Sequence, residues 1–588
     1  MNYKHLVLGV LTLPLVVGCV KDDYDLSDID TTSRFSVNDL VIPVNIAPVT
    51  LGDIITYDEN SKIKPITIDG KEFYALTETG SFRSEAINIA SVTAPAPSLN
   101  PSEEHFDPVS TAVAAASATT VTVTYEMKPM GNELYYNAGH VDDAIIDIES
   151  VKTNMNLTLN LQVLNMSAEN ISSHFENVVI QAPKGLQATA SVGEYVPETG
   201  RWTISSLDID GVSASISLDV TAIDFRMAGA TIDSAHRFEY SGEFRVQEGR
   251  ITLTTEADGV TMPEALHFRV SYSVTDMVAS AFSGTINYRL KGIDIAPISL
   301  SDIPEFLSSP GTNIRLSNPQ IYLGVNNPVA DNNLDCTSGI TLTAERDGMQ
   351  PLSFSPDVNS FTIGHGAGVT GPYNFVLAPN SEDLTTPGRY ASNLTFVQFT
   401  SLSDLLAVPE GAAYENAGIP NRIGVTLDNP EIPAQHVTDF ALGRDLNGVD
   451  GAYEVVAPLA LENDAVIIYT TTEDGWNDED VDALTINKLS LTATVTNECP
   501  LGVEMYAWPI DVRGNRIPGV EVKSSYVGAN SSNVALEIEM TGVITHLDGV
   551  IFEARVSGSD SNSALTPSTV ITLKDIRARV SGYYEKEL

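Results

Sequence analysis

Apolar side chains return at every second position along one segment after another of this chain. Val121, Val123, Tyr125 and Met127 form one such row, and Met155, Leu157, Leu159, Leu161 and Val163 a longer one. Ala214, Ile216, Leu218 and Val220 repeat the pattern, as do Phe268, Val270, Tyr272 and Val274, and Leu536, Ile538 and Met540. Successive side chains of a strand point to opposite faces, so a period of two buries one face and wets the other. The residues between are mostly Thr, Ser, Asn and Glu, as the water-facing positions of antiparallel sheets require. Helical spacing is scarce, with two short candidates: 301–307, holding Pro304 in its first turn, and 402–408, stopped by Pro409. Strands broken by frequent Gly, Pro, Asn and Asp predict an all-β chain of tandem antiparallel β-sandwich domains.

An internal repeat supports this. Ile321, Leu323, Val325 and Asn327-Pro328 match Ile423, Val425, Leu427 and Asn429-Pro430 position for position. Two looser copies keep the asparagine in phase: Leu159, Leu161, Val163 and Asn165, and Leu491, Ala493, Val495 and Asn497, with Pro500 further on. The pattern predicts a strand whose end is capped by an Asn side chain bonding its own backbone, with proline blocking further pairing. It resembles the strand-Asn-Pro element of late-embryogenesis-abundant-like and fibronectin-like sandwiches. Together with Leu300-Ser301-Asp302-Ile303-Pro304 and the stretch from Val495 to Gly502, it also resembles a group of uncharacterised multidomain lipoproteins of gut Bacteroidota. That resemblance implies location and fold, and carries no activity.

The N-terminus has the layout of a secretory signal: Lys4, then an apolar run from Leu6 to Val17, then Gly18 and Cys19. The run is about a dozen residues, short of the roughly 20 a membrane-spanning helix needs. Val16-Val17-Gly18-Cys19 resembles the bacterial lipobox, which implies cleavage after residue 18 and a diacylglycerol on the Cys19 thiol. Several acyl chains at roughly 0.8 kcal/mol per buried methylene anchor lastingly, where one is marginal. Lys21, Asp22 and Asp23 follow, and this order resembles the lipoprotein export signal of the Bacteroidota, which implies the outer face of the outer membrane.

With 32 basic against 77 acidic residues the chain carries a net charge of −45, which repels nucleic acid. Only Cys336 and Cys499 remain beyond the lipobox, too few for a disulfide framework and without metal-ligand spacing; they read as buried thiols, with pairing left open. Length and composition suit several globular domains. The expected divisions are a signal peptide at 1–18, the lipidated Cys19 with an acidic tether through 34, and an N-terminal sandwich region over 35–297. That region is one domain or two interwoven, with 90–120 a linker or insertion. A middle sandwich over 298–420 and a C-terminal one over 421–588 complete the chain.

No phosphate-binding loop, His-Glu-x-x-His or nucleophile elbow occurs. His365 lies in a glycine-rich stretch that reads as a hairpin. Asp142, Asp143, Asp147 and Glu149 read as a solvated face rather than the paired acids of a glycosidase. Asp445, Asn447 and Asp450 are spaced like the start of a calcium loop, but Val449 stands where a further ligand belongs; calcium is the one metal considered, and no cofactor is expected. Trp476, in a polar turn with Asn477 and Asp478, is the candidate for stacking on a sugar ring, against the alternative that it folds back on its own sandwich. Trp202 and Trp508 lie in strand-like sequence and read as core. Thr31 and Ser234 sit in sequences resembling Bacteroidota O-glycosylation acceptors. The reading is therefore a non-catalytic binding or adhesion module held to the membrane by its N-terminal lipid, for glycans or host glycoproteins. The alternative is a passive structural component of an envelope complex, and a glycoside hydrolase is a weaker third.

Overall fold

The computed structural model describes residues 32–587 except 44–48, 51–56, 58–60, 69, 114–119, 168, 257–259, 301–302, 305–306, 308–310, 366–371, 412–416, 478–480, 482 and 559–562. The signal segment 1–18, Cys19, Lys21, Asp22, Asp23, Thr31 and Asp478 lie outside the described residues. The described residues are all-β, in sheets of mainly antiparallel strands that include the parallel pair Tyr373–Ala378 and Leu394–Gln398. They fall into two compact units, one drawn from residues 32–49, 469–556 and 570–587, the other from residues 50–468 and 557–569.

The first unit is a sandwich built from both ends of the chain. The strand Thr32–Pro43 pairs along the strand Val570–Glu587, with Phe35 opposite Tyr584 and Ile42 opposite Ala578. Leu484–Asn497, Ser531–Ile544 and Glu521–Lys523 extend that sheet. The facing sheet runs Val466–Glu473, Gly549–Ser557, Gly502–Ile510, Ser525–Val527. Leu489, Leu491, Val495, Ile538 and Met540 from the first sheet meet Val503, Ala507, Val550 and Phe552 from the second. Burying each large aliphatic or aromatic side chain stabilises by about 1.5–3 kcal/mol, and the alternation in sequence is what aims them inward together.

In the second unit one eleven-stranded sheet serves two sandwiches. Its spine is Leu186–Ala190, Ser213–Asp224, Ile145–Val163, Ala281–Arg289, Arg422–Ala441, Cys336–Glu345 and Leu352–Phe354. A seven-stranded sheet packs on one end, where Phe175 lies 6.3 Å from Phe268 and Phe244 lies 5.7 Å from Tyr272. A six-stranded sheet packs on the other, Leu323, Tyr453 and Val455 meeting Leu342 and Val425. It runs Leu394–Gln398, Tyr373–Ala378, Gln320–Asn326, Asp450–Pro458, Lys71–Arg83 and Ile63–Ile68.

Strand pairing does not follow the breaks expected near 297 and 420. The strand Arg422–Ala441 pairs with Ala281–Arg289 on one side and Cys336–Glu345 on the other. The strand Asp450–Pro458 lies between Gln320–Asn326 and Lys71–Arg83. Alternation tells a residue which face to take but not which distant strand lies alongside, so these pairings are not legible in sequence order.

The Asn-Pro expectation divides in an informative way. Asn327 closes its strand: its Oδ1 accepts from the Val329 amide at 3.0 Å, and its Nδ2 donates to the carbonyls of Leu334 and Gly364 at 2.7 and 2.9 Å. Asn497 repeats this geometry, accepting from the Cys499 amide at 3.0 Å and donating to Leu501 and Gly528 at 2.9 Å each. Asn165 bonds across instead, to the Ala265 carbonyl and the His267 amide. Asn429-Pro430 ends nothing: the strand continues to Ala441, and Asn429 takes a left-handed φ of 45°. Gly339 pairs with Asp428 and Thr337 with Glu431, so Asn429 and Pro430 together oppose Ser338 in a bulge. A bulge spares proline's missing N–H, while its carbonyl still accepts from Leu290 at 2.9 Å.

The expected helix over 402–408 is a 3-10 turn, Thr400–Asp404. Of the segment 301–307 the structure describes residues 303, 304 and 307, with the Leu307 amide bonded to the Pro304 carbonyl. A one-turn helix that the spacing did not suggest, Phe225–Ala228, is capped by the Asp224 carboxylate on the amides of Arg226 and Met227. Both cysteines are free buried thiols, Cys336 in the second unit and Cys499 in the first. Burial pushes their thiols up, to about 12 for Cys336 and about 11 for Cys499.

Candidate functional site

At one end of the six-stranded sheet the strands Lys71–Arg83 and Gln320–Asn326 begin and Asp450–Pro458 ends. Five separate stretches of chain converge there on a cleft of about 590 Å³, with Lys71, Glu72, Asn318, Asp383, Thr385 and Thr566 among its walls. That size lies within the usual range for small-ligand sites.

One wall is held by a buried amide network. Gln320 is fully buried. Its Oε1 accepts from the Thr385 amide at 2.8 Å, the Thr385 hydroxyl at 2.9 Å and the Tyr322 hydroxyl at 2.6 Å. Its Nε2 donates to the carbonyls of Asn318 and Asp383 at 3.3 and 3.2 Å. Asn318 donates to the Glu382 carbonyl at 2.8 Å. The loop 382–385 is thereby pinned to the head of a core strand, and Asp383 takes a left-handed φ of 53° there. Tyr322 stacks on Tyr390 with ring centroids 5.5 Å apart, and burial pushes its hydroxyl up to about 12. Opposite, the Leu565 carbonyl accepts from the Tyr74 amide and the Leu565 amide donates to Leu459, which fixes the segment carrying Thr566. The cleft thus has fixed walls, one ammonium, two carboxylates and several hydroxyl and amide groups, a set suited to hydrogen-bonding a polyhydroxylated ligand.

Three other concavities of this unit, among the described residues, offer less. The apolar voids between its sheets measure about 30 and 10 Å³, room for a water at most. A polar dish of about 520 Å³ lies at the Asn429 bulge, but there the Asp428 carboxylate already accepts from Asn359 at 2.8 Å and Thr341 at 2.5 Å.

Trp476 is half-buried against the core of the first unit, and its amide donates to the Asp548 carbonyl at 2.7 Å. The Asn477 amide donates to the Asp548 carboxylate at 3.0 Å. The turn is tied down, with its ring on its own sandwich. Trp202 is buried as expected, its Nε1 donating to the Val192 carbonyl at 2.7 Å, whereas Trp508 is half-buried and faces outward from its sheet. Asp445 accepts from Asn88 at 2.6 Å and Asp450 from Asn326 at 2.9 Å; Asn447 is exposed between them. Among the described residues no three His, Cys, Asp or Glu side chains come together as a metal site.

His365 pairs with Asp335 at 2.5 Å. Asp142 accepts from the amides of Ala90 and Ala144, Asp143 pairs with His140, and Glu149 pairs with Arg226 and with His436. The Glu149 carboxyl is held below its ordinary range, chiefly by His436 and then by Arg226. Ser234 is exposed at the tip of a turn whose Asp233 accepts from the amides of Ala235 and Arg237. None of the expected site residues that the structure describes lies in the cleft, and the cleft residues carry no sequence motif. A Gln ahead of an apolar strand was the one available hint, because a polar side chain at a buried position needs partners.

No protein-family model matches the chain, and no curated protein matches it. Among solved structures it is similar to a protein of Parabacteroides distasonis ATCC 8503 described as secreted, with 16% identity and a TM-score of 0.35 over 52% of this chain and 90% of that one.

Proposed function

We propose that the protein is a lipid-anchored outer-membrane protein, facing the cell exterior, that binds a saccharide without turning it over. The observation that carries the binding reading is the cleft of about 590 Å³ whose wall is fixed by the Gln320 network. A preorganised polar cleft loses little entropy on binding, and hydroxyl groups of a sugar match its mixed donors and acceptors. Anchorage rests on the lipobox at Cys19 and the Lys21-Asp22-Asp23 signal. Residues 20–31 reach at most about 40 Å when extended, so a lipid on Cys19 would keep the strand Thr32–Pro43 within that distance of the membrane.

The test is a glycan array probed with the chain from Val20 onward, without lipid. Retention of a neutral saccharide that falls at least tenfold with Asp383→Ala and with Glu72→Gln supports the reading. A blank array, or retention unchanged by both substitutions, overturns it, and release of reducing ends from a bound glycan would make the protein a hydrolase. Protease shaving of intact cells, compared with Cys19→Ala and with replacement of Lys21-Asp22-Asp23, tests location: digestion of the parent with protection of the export-signal variant is expected. Protection of the parent in intact cells would place it facing the periplasm and favour an envelope scaffold.

A further inference from the structure

The first unit carries a different chemistry on the outer face of its four-stranded sheet. Along Gly502–Ile510 the side chains of Val503, Met505 and Ala507 enter the core, so Glu504, Tyr506 and Trp508 face out. The Tyr506 and Trp508 rings lie parallel, with 4° between their planes and 6.4 Å between centroids. The Arg555 guanidinium sits 4.9 Å from the Tyr506 ring centre, and that of Arg516 sits 4.6 Å from Trp508. Glu553, only 7% exposed, binds both: its Oε2 accepts from Arg516 at 3.0 Å and its Oε1 from Arg555 at 2.8 and 2.9 Å.

Two guanidinium groups are therefore held by a ring on one side and a carboxylate on another, which removes rotamer freedom that an arginine otherwise loses on meeting a ligand. Each still has unshared N–H groups, since Glu553 engages one nitrogen of Arg516 and two of Arg555. Arg513, exposed on the adjoining hairpin, adds a third guanidinium. The carboxylates nearby have partners of their own. Asp511 accepts from the amides of Arg513 and Asn515, and Glu504 accepts from the Ser524 hydroxyl at 2.6 Å. Tyr526, 66% exposed and paired opposite Glu504, leaves a ring at the edge of the same face.

We propose that this face binds the carboxylate or sulfate groups of an acidic polysaccharide, the guanidinium forks taking the anions and Tyr526 the apolar face of a sugar. A chain of net charge −45 repels polyanions at long range. At physiological salt that field is screened within about 8 Å, so a rigid local arrangement of donors can still prevail. The proposal does not depend on the cleft, which lies in the other unit.

The experiment uses the chain from Val20 onward, without lipid, immobilised for interferometry in 50 and 150 mM NaCl. Its probes are polygalacturonate, the methyl ester of the same polymer, heparin and polyglutamate. Binding to polygalacturonate and heparin, but not to the ester, is expected. Arg516→Gln with Arg555→Gln should weaken it at least tenfold, and Arg513→Gln about threefold. The Arg513 side chain is exposed and, among the described residues, meets the Asp511 carboxylate through charge without a side-chain hydrogen bond, so Arg513→Gln leaves the core intact and decides the matter if the double variant does not fold. Absence of binding to both acidic polysaccharides at 50 mM NaCl overturns the proposal, as does Arg513→Gln binding like the parent. Equal binding of the ester would assign retention to the cleft, and equal binding of polyglutamate would replace the saccharide partner with an acidic protein. Either outcome overturns the proposal as stated.

Discussion

Replacing Asn497 by alanine should open the first unit and leave the second closed. The side chain is 1% exposed and makes three hydrogen bonds of 2.9 to 3.0 Å, to the carbonyls of Leu501 and Gly528 and from the Cys499 amide. Leu501 and Cys499 are themselves buried, so water cannot readily replace the lost partners. At about 1 kcal/mol net for each bond, the loss is about 3 kcal/mol, and unsatisfied buried carbonyls push it upward. Two units make a single global unfolding free energy ill-defined, so a local probe is better. The free thiols provide one: Cys499 reports on the first unit and Cys336 on the second. Where labelling follows transient opening, about 3 kcal/mol raises the Cys499 rate roughly a hundredfold. Mass spectrometry after timed alkylation reads both sites in one sample. A Cys499 rate changed less than threefold, or a Cys336 rate rising in parallel, would refute the assignment of Asn497 as the buried clasp of this unit.

Three further outcomes follow from the same structure. Both thiols have raised pKa values in the fold, so they stabilise it fully below the unfolded thiol range near 8.5 and progressively less as pH rises through it; denaturant midpoints should fall between pH 8.5 and 10, and Cys→Ala variants should lose that slope. Trp476→Ala should raise Cys499 labelling at least tenfold, about 1.5 kcal/mol for a half-buried ring, and leave glycan retention by the cleft unchanged; loss of retention at unchanged labelling would return Trp476 to the binding surface. His174 should titrate above its ordinary value in an NMR experiment, chiefly through its bond to Asp208 at 2.5 Å and also through Glu176; Asp208→Asn should bring it down. Because that raised pKa belongs to the charged partner of two acids, its contribution to stability is present below the unfolded histidine value and lost as pH rises through the folded one.

Much of this protein was legible before any coordinates. Period-two alternation settles which face each residue takes, and Leu157, Leu159, Leu161, Ile538 and Met540 are all buried as it requires. The Asn caps at 327 and 497 were legible for the same reason: a strand end followed by an Asn bonding two residues ahead is a local event, decided within a few bonds of chain. Asn429-Pro430 has the same local sequence as Asn327-Pro328 and behaves differently, because strands from 281–289 and 336–345 flank it and continue the sheet past the bulge.

Tertiary structure alone decided the pairing of Thr32–Pro43 with Val570–Glu587, across nearly the whole length of the chain, and the joining of two sandwiches through one sheet. Neither choice leaves a mark in composition or periodicity, since every alternating strand presents the same backbone donors and acceptors to any neighbour. The cleft was hidden for that reason: its walls come from five stretches between Lys71 and Thr566 that only pairing brings together. The outward ring of Trp508 was hidden for another. A tryptophan in a strand reads as core until the opposite face of that strand is known to be filled, here by Met505 and Ala507.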